Sequence, residues 1–228
     1  MEQTVLTPRL KLTLITTADR GSRELEWLHE LRSDEKCTWW SIYGRSKTIE
    51  DTERIMKSAL PTTTNNNEDK TYRIVYAVHE LLSTNDTSSA NEKHTPTRLI
   101  GLITVRSLDS SNLPQPTHLL PPLSLDPACL TTELGYQFLP AAWGKGYATE
   151  SVKAALEACG RGLSFWAPYE KVFMRAIVNA ENKASPRVMA KVGMRELGVQ
   201  TWEGDGLWLA GKWRTTDSLY YFGAFVVE

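Results

Sequence analysis

The chain has 228 residues, 41% of them hydrophobic and 23% charged, with a formal net charge of -1. That length suits a single domain over residues 1–228, and the near-neutral balance gives no basic field to draw in nucleic acid. No apolar run approaches the ~18 residues a membrane-crossing helix needs, and the opening MEQTVLTPRLKL lacks the apolar stretch of a signal peptide.

The first strand signal is the alternation of Leu10, Leu12 and Leu14 with Lys11 and Thr13, just after Pro8. Asp19 or Ser22 then caps a helix running to about Ser33, with Leu25, Leu28 and Leu31 on one stripe. Trp39, Trp40, Ile42 and Tyr43 follow as an aromatic loop, which either walls an acceptor pocket or packs one helix on the next. Thr48 and Asp51 have the spacing of a capping box for a second helix, which Pro61 ends. After the polar loop 62–70, residues Tyr72–Leu82 and Leu99–Val105 read as strands of an antiparallel hairpin, and His79 as a hydrogen-bonded structural histidine. The intervening insertion, about 83–97, has too little apolar surface to order itself.

A second insertion, about 109–130, carries five prolines and cannot be regular helix or central strand. Its leucines at 119, 120, 123 and 125 need cover, so it is expected to lie over the domain as an ordered lid. From Glu133 the chain reads ELGYQFLP, a strand stopped by Pro140, and from Ala148 apolar residues recur at helix period through Cys159 to Leu163, with fraying expected at Gly160 and Gly162. Lys171–Val178 is a further buried strand. Ser185-Pro186 signals a helix start with Ser185 as N-cap, and Gly193 its end. Leu197–Trp202 and Leu219–Val227 read as the closing strand pair, with Glu203–Ser218 as a loop between them. The three cysteines, Cys37, Cys129 and Cys159, are scattered, and the four histidines fall in no metal-ligand spacing. We expect a reducing, cytoplasmic setting, with the nucleus also compatible, no metal, and a monomer or homodimer.

The chemistry concentrates where strand meets helix, at Trp143-Gly144-Lys145-Gly146-Tyr147-Ala148-Thr149. The first N–H groups of a helix lack partners within it and carry the positive end of its dipole, and glycines let an anion approach the backbone. The spacing fits neither a P-loop nor a dinucleotide fingerprint, since Thr149 stands where the latter needs a small third residue. The run resembles the Q/R-x-x-G-x-G/A loop of the GNAT superfamily of acyl-CoA N-acyltransferases, and WGKGYATE resembles in particular the branch that includes ribosomal-protein N-terminal alanine acetyltransferases. Ala141 departs from the pattern at the Q/R position. Asn182 to Ser185, followed by Lys191-Val192-Gly193-Met194, is similar to the second GNAT signature, about forty residues further on.

The resemblance implies an α+β fold: a mixed, mostly antiparallel central sheet with a splayed strand pair, flanked by helices. It implies acetyl-CoA as cosubstrate and a primary amine, a protein N-terminus or a small molecule, as acceptor. Gly144 to Thr149, with Trp143, would hold the pyrophosphate. The backbone of Phe138 and Leu139 would pair with pantetheine, with Asn182 near the opposite wall. Ser185 would assist the leaving thiolate. Glu133, near the splay, is the candidate general base, with Glu203 in reserve. A non-catalytic acyl-CoA-binding module and a nicotinamide-dependent oxidoreductase remain as alternative readings, the second disfavoured because hairpin-like pairs argue against alternating parallel units.

Overall fold

The computed structural model describes residues 1–61, 71–82, 96–108 and 116–228. The expectations for the polar loop 62–70, for most of the first insertion and for residues 109–115 of the second fall outside those residues. The strands are β1 (Thr4–Leu6), β2 (Leu10–Leu14), β3 (Arg73–Leu81), β4 (Thr97–Ser107), β5 (Cys129–Phe138), β6 (Lys171–Asn179), β7 (Arg195–Leu209) and β8 (Lys212–Val227). The helices are α1 (Arg23–Ser33), α2 (Ile49–Ala59), α3 (Tyr147–Arg161), the single turn α4 (Leu163–Trp166) and α5 (Ser185–Lys191).

The strands form an eight-stranded sheet in the order β1-β2-β3-β4-β5-β6-β8-β7. Every neighbouring pair is antiparallel except β5 and β6. This is the mixed, mostly antiparallel α+β sheet the motif implied, and it rules out a doubly wound parallel sheet. The parallel register of β5 and β6 runs from Cys129↔Lys171 to Glu133↔Arg175 and stops. Beyond it β5 stays paired with β4 as far as Phe138, and β6 stays with β8 as far as Asn179. The two central strands therefore diverge after Glu133 and Arg175.

Local signals set most of the helix boundaries. Ser22 caps α1 by accepting from the Leu25 N–H, and Thr48 and Asp51 form a reciprocal capping box on α2. Leu25, Leu28 and Leu31 of α1 are fully buried with Met56 of α2 against Val75, Ala77 and Leu102 on one sheet face. The opposite face buries Val152, Ala155 and Cys159 of α3 with Met189 of α5. Cys159 is a packed thiol there, pushed up to about 12 by burial.

Several expectations need correction. α3 does end where the glycines suggested, with Gly162 as its C-cap, but Gly160 is still helical: a Cβ there would sit 2.9 Å from the Val226 carbonyl oxygen, so glycine is what lets β8 approach the helix. Leu163 is exposed. The second insertion ends earlier than expected, because β5 already begins at Cys129. Its described part folds as two short 3-10 turns, Thr117–Leu119 and Pro122–Leu125. Of leucines 119, 120, 123 and 125 only Leu119 is buried, against Leu219 and Tyr221 of β8, while Leu123 and Leu125 are exposed. Glu203–Ser218 is mostly strand. β7 and β8 form a long hairpin closed by Ala210 (φ 51) and Gly211 (φ 77), a two-residue turn of the I′ kind whose twist matches that of the strands. A bulge at Glu203/Leu207 breaks the alternation that would have marked the arm as strand.

His79 is buried opposite a β-bulge at Ile100 of β4, its ring edge-on to Trp27 at 4.5 Å, and neither ring nitrogen has a hydrogen-bond partner of normal geometry. Desolvation, with the nearby cations Lys11 and Arg23, lowers its pKa to about 4. The structural reading stands, but the expected hydrogen bonding does not. A histidine whose folded pKa is depressed contributes stability that is present above its unfolded value of about 6.5 and is lost as pH falls toward 4. Urea midpoints of wild type and His79→Leu should accordingly diverge on acidification, the wild type losing more stability between those two pH values; parallel curves would show that His79 protonates freely in the fold.

Candidate active site

The loop between β5 and α3 is the first element of the site. Pro140 stops the ladder and opens a 3-10 turn to Ala142; Gly144 (φ 74) and Gly146 (φ 79) then adopt left-handed backbone that L side chains rarely take. Gly146 is the N-cap of α3, and the first intrahelical bond runs from the Glu150 N–H to its carbonyl at 3.0 Å. The N–H groups of Tyr147, Ala148 and Thr149 thus precede the helical ladder. Nothing lies within 4 Å of where a Cβ on Gly144 would be, so the loop's outer side is open to a ligand. These residues fit a pyrophosphate by the chemistry of the donor set, namely backbone N–H groups, a dipole and the exposed cation of Lys145.

The loop is anchored from the β1–β2 turn. Arg9 donates through Nη1 to the Lys145 carbonyl at 3.0 Å and through Nε to Glu150 at 2.7 Å, and its guanidinium lies 4.8 Å from the Tyr147 ring centre. Glu150 also accepts from Thr7 Oγ1 at 2.6 Å and from the Arg9 N–H. Burial alone would raise the Glu150 pKa, but these donors outweigh it and hold the carboxyl below its ordinary value. Tyr147 donates to Glu80 at 2.5 Å, tying the start of α3 to β3.

The backbone edge beside this loop differs from expectation at one residue. Leu139 gives its N–H to the Ile100 carbonyl on β4 at 2.9 Å, so it does not face the gap. Alternation along an extended strand turns the backbone groups of Phe138 and Tyr136 the other way, toward the divergence. The Phe138 carbonyl accepts from the Trp143 indole at 2.8 Å, which leaves Trp143 bracing the strand end.

Across the gap, Asn182 Oδ1 accepts from the Ser185 N–H at 3.4 Å. Ser185 is not the N-cap; that position is Ala184, and Ser185 is the first helical residue. Its hydroxyl is free of capping and lies 2.6 Å from the Tyr136 hydroxyl, joining α5 to β5 over the divergence. Burial raises the Tyr136 pKa, opposed only in part by Ser185, so the phenol stays protonated at neutral pH.

At the apex sits Glu133. Its Oε2 accepts from Nε (3.1 Å) and Nη2 (2.8 Å) of the fully buried Arg175, and its Oε1 from Arg106 Nη2 at 3.0 Å. Arg106 in turn donates to the Tyr43 hydroxyl at 2.8 Å. Glu203 lies away from this cluster, exposed on β7 opposite Thr216. The sequence reading missed Arg106, Arg175 and the Tyr136 hydroxyl. An arginine inside the buried run KVFMRAIV was a usable signal, since arginine is rarely buried without a partner.

Between Glu133 and the α1–α2 connection lies a cavity of about 330 Å³, in the range of small-molecule sites. The aromatic loop contributes Trp40, Ile42 and Tyr43 to its wall, and the hairpin arm contributes Leu209. The arm is held there by the Ala210 N–H donating to the Trp39 carbonyl at 3.0 Å and by Arg214 over the Trp40 ring at 5.6 Å. The glycine loop, the Tyr136–Ser185 bridge and this cavity together border the gap between β5 and β6. Among the described residues no cluster of His, Cys, Asp and Glu is arranged to hold a metal, and no helix is long and apolar enough to cross a membrane.

No curated protein sequence matches the chain. Among solved structures, it is similar to a GNAT-family acetyltransferase from Bacillus anthracis (20% identity, TM-score 0.57, covering 98% of each chain). It is also similar to a spermidine N-acetyltransferase from Vibrio cholerae in complex with CoA and spermine (17% identity, TM-score 0.56, 94% of this chain and 95% of that one). A third, provisionally assigned as a ribosomal-protein-serine acetyltransferase from Vibrio cholerae, has 17% identity and a TM-score of 0.54 over 98% of this chain and 99% of that one. At these identities the likeness is one of fold. The family model described as "Acetyltransferase (GNAT) domain" matches residues 9–195, most of the chain and both glycine-loop and Asn182–Ser185 segments. The chain therefore belongs to the GNAT acetyltransferase family and is an acyltransferase.

Proposed function

We propose that the protein is a single-domain N-acetyltransferase that moves the acetyl group of acetyl-CoA to a primary amine by direct attack in a ternary complex. The observation that carries this reading is the opening of β5 from β6 directly beside a helix N-terminus with two left-handed glycines. Gly144 to Thr149 would hold the pyrophosphate and Phe138 and Asn182 would flank pantetheine, while the acceptor enters the cavity on the α1–α2 face. Support comes from the matched family and from a structural neighbour whose complex contains CoA. The WGKGYATE run and the third neighbour favour the branch acting on ribosomal-protein N-termini; the spermidine enzyme represents small-molecule acceptors.

The thioester supplies an activated acyl carbon, with the thiolate as its leaving group. Transfer forms a C–N bond at that carbon and breaks the C–S bond. The amine must lose a proton, since the reference pKa is about 10.4 for lysine and about 7.7–8.0 for an α-amino group. Among the described residues Glu133 is the carboxylate that lines the cavity, which makes it the candidate to receive that proton through water. Doing so means displacing a guanidinium contact. On the sulfur side, Ser185 would donate its hydroxyl hydrogen to the departing thiolate while Tyr136 donates to Ser185 Oγ, so the pair passes a proton toward sulfur.

Three measurements test this reading. Gly146→Val places a β-branched residue at φ 79 in the phosphate loop. It should weaken acetyl-CoA binding by about tenfold or more in calorimetry with an unchanged circular dichroism spectrum; unchanged affinity would sink the assignment. Glu133→Gln should cost about 3 kcal/mol in urea unfolding by leaving buried Arg175 without its carboxylate, whereas exposed Glu203→Gln should stay within about 0.5 kcal/mol. If Glu133→Gln also keeps the wild-type pH–rate profile, Glu133 orients the arginines and is not the base. Ser185→Ala should lower kcat by up to roughly 10²-fold with little change in acetyl-CoA affinity, and Tyr136→Phe by less. Wild-type turnover in Ser185→Ala removes it from the chemistry.

A further inference from the structure

The lining of the cavity carries information about the acceptor that the glycine loop does not. Among the described lining residues, Arg32 and Arg106 stand against one carboxylate, Glu133, and that carboxylate is already spanned by Arg106 and by Arg175 behind it. Arg32 is buried at 4% exposure, and its partners are neutral: the Ser41 hydroxyl at 2.9 Å and the Gly44 carbonyl at 2.7 Å. Its Nε has no partner.

Two further donors share that state. Asn179, 8% exposed, accepts through Oδ1 from the Glu181 N–H at 2.9 Å, which fixes the orientation of its amide and leaves Nδ2 as the unpartnered end. Gln137 Nε2 is likewise buried without a partner. Arg32, Gln137 and Asn179 come from α1, β5 and β6, yet all line the same cavity, and each unpartnered atom is an N–H donor. Buried donors left unpaired cost free energy, so a ligand rich in acceptor oxygens gains most by entering here. Ile42, Ile55, Met56, Leu134 and Leu219 give the same wall apolar stretches between its polar groups.

We propose that the acceptor is a small primary amine bearing a carboxylate on an apolar body, in the manner of a free amino acid, and that the carboxylate is taken up by the Arg32, Gln137 and Asn179 donors. A polyamine is the opposite case, because it brings several positive charges to a wall where cations outnumber carboxylates and offers no acceptor to those donors. The inference rests on the acetyl-transfer reading above and chooses the small-molecule acceptor over a ribosomal-protein N-terminus, whose first residue carries a peptide amide in place of the carboxylate.

The test uses the full chain with acetyl-CoA, following CoA thiol release. Alanine, leucine and phenylalanine are each presented as the amino acid, its amide and the decarboxylated amine, alongside spermidine. For at least one of the three bodies, kcat/KM should favour the free amino acid by about tenfold or more over both its amide and its decarboxylated amine, with spermidine poorest. Asn179→Asp keeps the acceptor oxygen that meets Glu181 but replaces the donor with a negative charge. It should depress kcat/KM for the amino acid by roughly tenfold or more while moving the decarboxylated amine less than about threefold. The proposal is overturned if, for all three bodies, the amide or the decarboxylated amine is used as well as the amino acid, if spermidine is used as well as the best amino acid, or if Asn179→Asp slows every acceptor alike. It also fails if all ten acceptors are inert while acetyl-CoA binds in a manner sensitive to Gly146→Val; the cosubstrate reading then survives alone. Failure of acetyl-CoA itself to bind removes the acetyl-transfer reading and this inference with it.

Discussion

The architecture depends on two parallel strands that pair for only part of their length. β5 and β6 are hydrogen-bonded neighbours up to Glu133 and Arg175 and then part, each kept straight by an antiparallel partner on its outer side. The last shared rung carries a carboxylate gripped by two guanidiniums, one of them fully buried. A buried ion pair adds little net stability over apolar packing, because desolvation offsets the attraction, but losing one partner is costly. The arrangement therefore defines where the sheet opens more than how tightly the domain holds together. Every other part of the candidate site borders the resulting gap.

On one face the gap meets a helix N-terminus prepared for an anion. The two glycines supply backbone geometry, and the rigidity comes from elsewhere: Arg9 and Thr7, far away in sequence, hold Glu150 and the Lys145 carbonyl in place. A loop tied down before a ligand arrives loses less conformational entropy on binding, which is the physical advantage of the arrangement. The Tyr136–Ser185 bond spans the same gap further along, so the hydroxyl pair is positioned by two elements that the sheet has already spread apart.

On the other face the cavity is assembled from three unrelated segments. The α1–α2 connection brings its aromatic residues, the diverging strands bring amides and charges, and the β7–β8 arm folds its turn back onto Trp39. The arm carries exposed Trp208 and Trp213 as a cross-strand pair. Such pairs hold two-stranded ribbons in register where no third strand supports them.

What the sequence determined by itself is what short-range physics encodes. The capping box at Thr48, the Leu25, Leu28 and Leu31 stripe, the strand–glycine–helix passage at Phe138 to Thr149 and the stop at Gly193 are all set within a few residues, because hydrogen-bond geometry and side-chain period are local. Elsewhere contacts distant in sequence overruled local preference. Ser185 looked like a cap but gave its hydroxyl to Tyr136, 49 residues away. Glu203 to Ser218 looked like a loop, because the bulge at Glu203/Leu207 and three glycines erase the strand period that the partner strand restores. Glu133 looked like an open carboxylate until Arg106 and Arg175 were brought to it from the strands on either side. Only the tertiary structure decided which charges meet and which donors remain unpaired, since those outcomes depend on strand order and on the angle at which two strands part, and no local pattern of residues carries either.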